Sequence, residues 1–117
     1  MSKALDYLLH ARPKAMQQYF GFLKEAGRHL DSKTRAIISV ITKVDNQTEA
    51  GFRQYLHRAM QAGVTADEIL DALLLAFPTL GLTKITWAMD LLLEMDLPEF
   101  RLENLERQGH WHDVAAV

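Results

Sequence analysis

Apolar residues in this chain recur at three- and four-residue steps from end to end, and no stretch alternates them at every second position. A helix puts residues so spaced on one face, whereas a half-buried strand needs a period of two. No hairpin dipeptide separates two apolar runs, and no unit recurs at a fixed spacing. The pattern predicts an all-α fold of about six to seven helices.

The helices read off in order. A short one is expected around Ala4 to His10, and Pro13 then sits where a first helical turn tolerates a missing N–H. The second carries Met16, Tyr19, Phe20, Leu23, Ala26 and Leu30 on one face. Asp31 or Ser32 is placed to cap a third, with Ile37, Ile38, Ile41 and Val44 as its inward stripe. In "NQTE", Asn46 and Glu49 have the spacing of a capping box, which predicts a fourth helix with Phe52, Tyr55, Leu56, Ala59 and Met60 buried and Gly63 as its stop. "TADE" repeats that spacing with Thr65 and Glu68.

The fifth helix carries Ile69, Leu70, Leu73 and Phe77, and Pro78 with Gly81 is expected to break or kink it. A sixth resumes about Thr83 and runs through Ile85, Ala88, Met89, Leu92 and Met95. Pro98 is placed to open a last short helix with Phe100, Leu102 and Leu105. The triplets Leu73 to Leu75 and Leu91 to Leu93 cover more than one helical face, which suggests burial on two sides, the second against another subunit.

At 117 residues, about half of them apolar, the chain suffices for one domain spanning 1–117, with 108–117 as a tail without clear period. A net charge of −2, with both signs mixed along the chain, favours neither nucleic acid nor an anionic membrane as partner. The start does not look like an export signal, and the longest apolar run, Ala72 to Leu82, is interrupted by Pro78. A cytoplasmic protein is expected. Cysteine is absent, which removes disulfides, thiolate metal sites and thiol nucleophiles together.

Glu49, Arg53, His57 and Gln61 follow at intervals of four and line one stripe of the fourth helix, opposite the apolar one. A general base beside a positioned cation would need Glu49 or His57 held in a cleft; a solvated face with ordinary ion pairs is the plainer reading. "HWHD" sets His110 and His112 two apart, so an extended chain would point both imidazoles one way, where Asp113 or a second subunit could complete a divalent-metal site. The plainer reading is a tail that docks through Trp111 or wanders, so no metal is assigned. No phosphate-cradling glycine loop, nucleophile elbow or helical histidine pair is present, and no cofactor is called for.

The order "LDSKTRAIISVITKV", a helix start, and then "AMQAGVTADEILDALLLAF" resembles the carboxymuconolactone decarboxylase and alkylhydroperoxidase-D-like family, from about Pro13 to Leu93. The likeness is strongest in Leu30 to Arg35 and Ala62 to Ile69. Peroxidase-like members carry a glutamate, two cysteines separated by two residues, and a histidine four residues after the second. Their spacing, laid on this chain without gaps, falls on Ala36, Thr48, Gly51 and Tyr55. Thiol-dependent peroxidase chemistry needs an attacking thiolate and a resolving thiol, and threonine and glycine supply neither.

The decarboxylase branch does without the cysteine pair, and its members look to use acidic residues and a histidine in that stretch. The resemblance makes Glu49 the candidate acid, leaves Tyr55 in place of the histidine, and offers Thr48, Gly51 and Arg53 as ligand contacts. His57 is no substitute for Tyr55, since two residues turn it through roughly 200° of helix. Two readings follow: an oligomeric structural or small-ligand-binding protein without peroxidase activity, or an acid-base enzyme on a small carboxylated or lactone substrate. Related folds assemble as trimers and hexamers, which implies a homo-oligomer here.

Overall fold

The computed structural model describes residues 3–106. They form six α-helices: α1 (Lys3–Ala11), α2 (Pro13–Ala26), α3 (Ser32–Asn46), α4 (Glu49–Gln61), α5 (Ala66–Leu80) and α6 (Leu82–Glu94). Two 3-10 turns follow, Pro98–Phe100 and Leu102–Asn104, and no strand occurs among the described residues. The fold is all-α, as the periodicity predicts. His110, His112 and Asp113 lie outside the described residues.

The chain divides into two compact units, one ending at Asp31 and one beginning at Ser32. In the first, α1 packs on α2, Pro13 occupies the opening turn of α2, and neither helix contains a buried residue. The outward apolar face includes Tyr19 and Phe20, whose rings meet edge to face at 5.5 Å.

The second unit holds the core. There α3 packs against α4, α5 and α6, and α6 against α4 and α5. Phe52, Leu56 and Ala59 of α4 are fully buried beside Val40 and Val44 of α3, Ile69 and Leu73 of α5, and Ala88 and Leu92 of α6. Phe52 also meets the Trp87 ring edge to face at 6.0 Å, joining α4 to α6. Burial of a side chain of that size stabilises by about 1.5–3 kcal/mol, and truncating Phe52 to alanine would cost about 3–5 kcal/mol once the cavity is counted.

The phase of α3 differs from expectation. Val40 and Val44 are its buried residues, Ile37 and Ile41 pack at the edge, and Ile38 is 48% exposed. Branched aliphatics at 37, 38, 40 and 41 spread over roughly 160° of the helix at its 100° per residue, so spacing alone leaves the centre of its inward face undetermined.

The α3–α4 connection also differs from the capping box expected of Asn46 and Glu49. Asn46 is the last residue of α3, and Gln47 turns left-handed at φ 50°. The Gln47 N–H donates to the Val44 carbonyl (3.1 Å) and the Thr48 N–H to the Lys43 carbonyl (3.2 Å), the pair of bonds that defines a Schellman stop. Thr48 therefore becomes the N-cap of α4, and its hydroxyl makes no capping hydrogen bond.

The other stop and cap follow the sequence. Gly63, at φ 93°, donates to the Met60 carbonyl while Val64 donates to that of Ala59, again a Schellman pair. Thr65 accepts from the Glu68 N–H at 3.1 Å, and the Glu68 carboxylate accepts from the Thr65 N–H at 2.9 Å. That backbone bond, followed by the Lys33 ammonium 3.0 Å away, holds the Glu68 carboxyl below its ordinary value.

Helix α5 runs through Pro78 without breaking and ends at Gly81, also at φ 93°. Beyond α6, the last segment forms two 3-10 turns and no further α-helix, with Phe100 buried and Asn104 donating to the Pro98 carbonyl at 2.8 Å. The leucine triplets are each split: Leu73, Leu91 and Leu92 are buried, whereas Leu74, Leu75 and Leu93 are exposed, Leu75 by 83%. Among the described residues no helix is long and apolar enough to cross a membrane.

Candidate functional site

Ala36 and Tyr55, twelve positions from Thr48 and four from Gly51 respectively, line one shallow depression of about 350 Å³ between α3 and α4. Its other walls are Arg35 and Ser39 from α3 and Arg58 from α4, at three- and four-residue steps on facing helices. The Ser39 hydroxyl is spent as a donor to the Arg35 carbonyl at 3.0 Å.

Two cations lie close to the Tyr55 ring. The Lys43 ammonium lies 5.0 Å from its ring centroid and the Arg58 guanidinium carbon 5.1 Å. Such contacts contribute about 0.5–1 kcal/mol each at exposed sites, because the ring's quadrupole offers a negative face. Arg58 arrives from the next turn of the same helix, while Lys43 reaches across from α3. Gly51 lies beside that stem: a Cβ there would stand 3.1 Å from the Lys43 Cδ, close enough to ask it to shift by a few tenths of an ångström. The same added atom would lie 3.4 Å from the Thr48 Cβ, so Thr48 and Gly51 face one another across the first turn of α4.

Glu49 and Arg53 form a separate cluster. Arg53 donates to the Glu49 carboxylate at 3.2 Å and to Glu94 of α6 at 2.8 Å, tying α4 to α6. Its side chain is 35% exposed and that of Glu49 63% exposed. His57 and Gln61, later in the row, are also exposed. The structure sets Thr48 and Gly51 side by side at the start of α4 but not on the wall of the depression with Tyr55, and it joins Glu49 to Arg53 and not to Tyr55.

Sequence reasoning missed Lys43, Arg35 and Arg58. A signal was present, since Arg35, Ser39 and Lys43 repeat every four residues along α3 and Arg58 follows Tyr55 by three. A larger hollow of about 580 Å³ lies at the start of α5, lined in part by Gly63, Asp67 and Glu99. Its Asp67 carboxylate accepts the Glu106 N–H at 3.2 and 3.3 Å. No group of three or more histidine, aspartate and glutamate side chains suited to a metal occurs among the described residues.

The family's sequence model, described as the carboxymuconolactone decarboxylase family, matches residues 13–94. The chain belongs to that family. No curated protein and no solved structure matched it. The match takes in α2 to α6, and so every residue of the depression and of both clusters. Within the family this is a cysteine-free member.

Proposed function

We propose that this family member is a small-ligand-binding protein without thiol-dependent peroxidase activity, working as a homo-oligomer. The observation that carries the reading is the pairing of Ala36 with Tyr55 in one depression. Two of the four positions matched to the relatives' reacting groups, Ala36 and Tyr55, line it together with a hydroxyl and a guanidinium, and the chain has no sulfur nucleophile to offer at the other two, Thr48 and Gly51. A threonine and a glycine cannot be oxidised to a disulfide, so peroxide reduction through that pair has no electron source. A cytoplasmic setting belongs to the same proposal.

The acid-base alternative draws less support. Its acid, Glu49, is engaged by Arg53 on an exposed face, away from Tyr55. The self-association is supported by Leu74, Leu75 and Leu93, which leave apolar surface on α5 and α6 of the kind that protein contacts cover.

The test has two arms. Purified protein with hydrogen peroxide and a dithiol donor is expected to consume peroxide no faster than buffer. A screen of small organic acids and neutral analogues by chemical-shift perturbation is expected to move amide signals of Ser39, Tyr55 and Arg58. Dithiol-dependent turnover, or a silent depression across the whole screen, would overturn the reading.

A further inference from the structure

Helix α2 carries an apolar stripe that its own unit leaves open. Met16 is its one half-buried residue and marks the side packed on α1. Ala15, Tyr19, Phe22 and Ala26, at steps of four, three and four, form a second stripe centred about a quarter-turn from Met16. All four are exposed, Phe22 by 67%. In the second unit, α6 presents Leu82, Thr86, Met89 and Leu93 at the same three steps, with Leu82 and Leu93 exposed and the Thr86 hydroxyl turned back to the Leu82 carbonyl at 2.9 Å. Steps of four and three are the spacing at which the seam of one helix fits the holes of another.

The two units also differ in charge. Five Lys and Arg against three Asp and Glu leave the first unit, ending at Asp31, at a formal +2, and since the whole chain carries −2, residues 32–117 carry −4. At the edges of the stripes, Lys14 on α2 and Asp90 on α6 are exposed, and neither is in an ion pair among the described residues.

We infer that the α2 stripe of one copy packs along the α6 stripe of a second copy. The inference rests on the self-association proposed above and names the two surfaces that meet. Pairing each stripe with its own kind would set +2 on +2 or −4 on −4, whereas the crossed pairing sets +2 on −4 and places cationic and anionic rims opposite one another. The apolar area is of the right order. Four aromatic rings of α1 and α2, those of Tyr7, Tyr19, Phe20 and Phe22, are exposed by 38–70%. At about 150–250 Å² per aromatic side chain they present roughly 350–550 Å², a large part of the about 800 Å² that one partner contributes to a stable interface. A contact between unlike surfaces leaves one of each kind open at the ends of a pair, so it recruits further copies until a ring closes.

The experiment measures the mass of the full chain by light scattering over a concentration series, for wild type, Phe22→Glu, Leu93→Glu and a one-to-one mixture of the two variants. Circular dichroism first establishes that both variants keep the wild-type helix content. Wild type is expected above the 13.3 kDa of one chain, and each variant should dissociate about thirtyfold more readily, the effect of losing one anchor residue. The mixture should reach twice the single-chain mass at concentrations where each variant alone is monomeric, because there one intact α2 stripe meets one intact α6 stripe. A variant that keeps the wild-type mass, or a mixture that stays at the single-chain mass, overturns the pairing while leaving self-association through another face standing. A wild type of single-chain mass at every concentration overturns both, and if it sediments with phosphatidylglycerol vesicles while Phe22→Glu does not, the stripe belongs to a lipid surface instead.

Discussion

A Cβ placed on Gly51 falls 3.4 Å from the Cβ of Thr48, close to the separation that a disulfide spans. The backbone of α4 thus presents a dithiol geometry that its side chains do not use. The double variant Thr48→Cys, Gly51→Cys is expected to close a disulfide with oxidised glutathione, which takes up the two electrons and releases two thiols. Mass spectrometry after alkylation reads the outcome, and a folded variant that stays fully alkylatable would contradict it.

Arg53 joins two helices through two carboxylates at a partly exposed site. Replacing it by methionine keeps the stem and should cost about 0.5–1.5 kcal/mol in urea unfolding, with the loss shrinking at high salt. Glu94→Gln should reproduce most of that loss, because the 2.8 Å bond to α6 is the shorter one.

Gln47 occupies a left-handed stop that favours glycine. Gln47→Gly should raise stability by about 0.5–1 kcal/mol, the steric relief exceeding the glycine's entropy loss. Gly63→Ala, at the matching stop of α4, should lower stability by about 1 kcal/mol. The pair of midpoints moving in the same direction would show that the two stops are not equivalent.

Glu68 has a lowered pKa, so its contribution works in one direction with pH. A carboxyl whose folded value lies below its unfolded value stabilises above the unfolded value and loses that contribution as pH falls through the folded one. The stability gap between wild type and Glu68→Gln should therefore be full at neutral pH and close on acidification. Thermal melts at a series of acid pH values read it, and a gap independent of pH would refute the linkage.

If copies associate through the outer faces of α5 and α6, Leu75→Lys should lower the mass in light scattering while the helical signal stays unchanged. Leu75 is the most exposed large apolar residue of that surface, so the change costs the single chain little.

Much of this architecture could be read from residue order because several signals were local. Thr65 and Glu68 satisfy each other within one turn, and Gly63 adopts the left-handed shape that its type allows. The stop at Gln47 could not be read that way, since a side chain with a Cβ hides the left-handed turn and "NQTE" imitates a cap. Nor could the inward face of α3, where Val40 and Ile38 stand at the two edges of one broad branched face and spacing does not say which edge turns inward. At the depression, the meeting of Ala36 and Tyr55 was within reach of the resemblance. The contact of Lys43 with Tyr55 was not, because it depends on how α3 and α4 face each other.

Pro78 lies inside α5 without interrupting it. Lacking an amide hydrogen, it leaves the Leu74 carbonyl with no helical donor, so the turn from Pro78 to Leu80 is anchored by fewer rungs than the turns before it. Fraying should start there, and deuterium should enter the Gly81 amide well before it enters that of Leu73. The corner between α5 and α6 is thereby the part of the second unit best suited to adjust its shape when another surface settles against it.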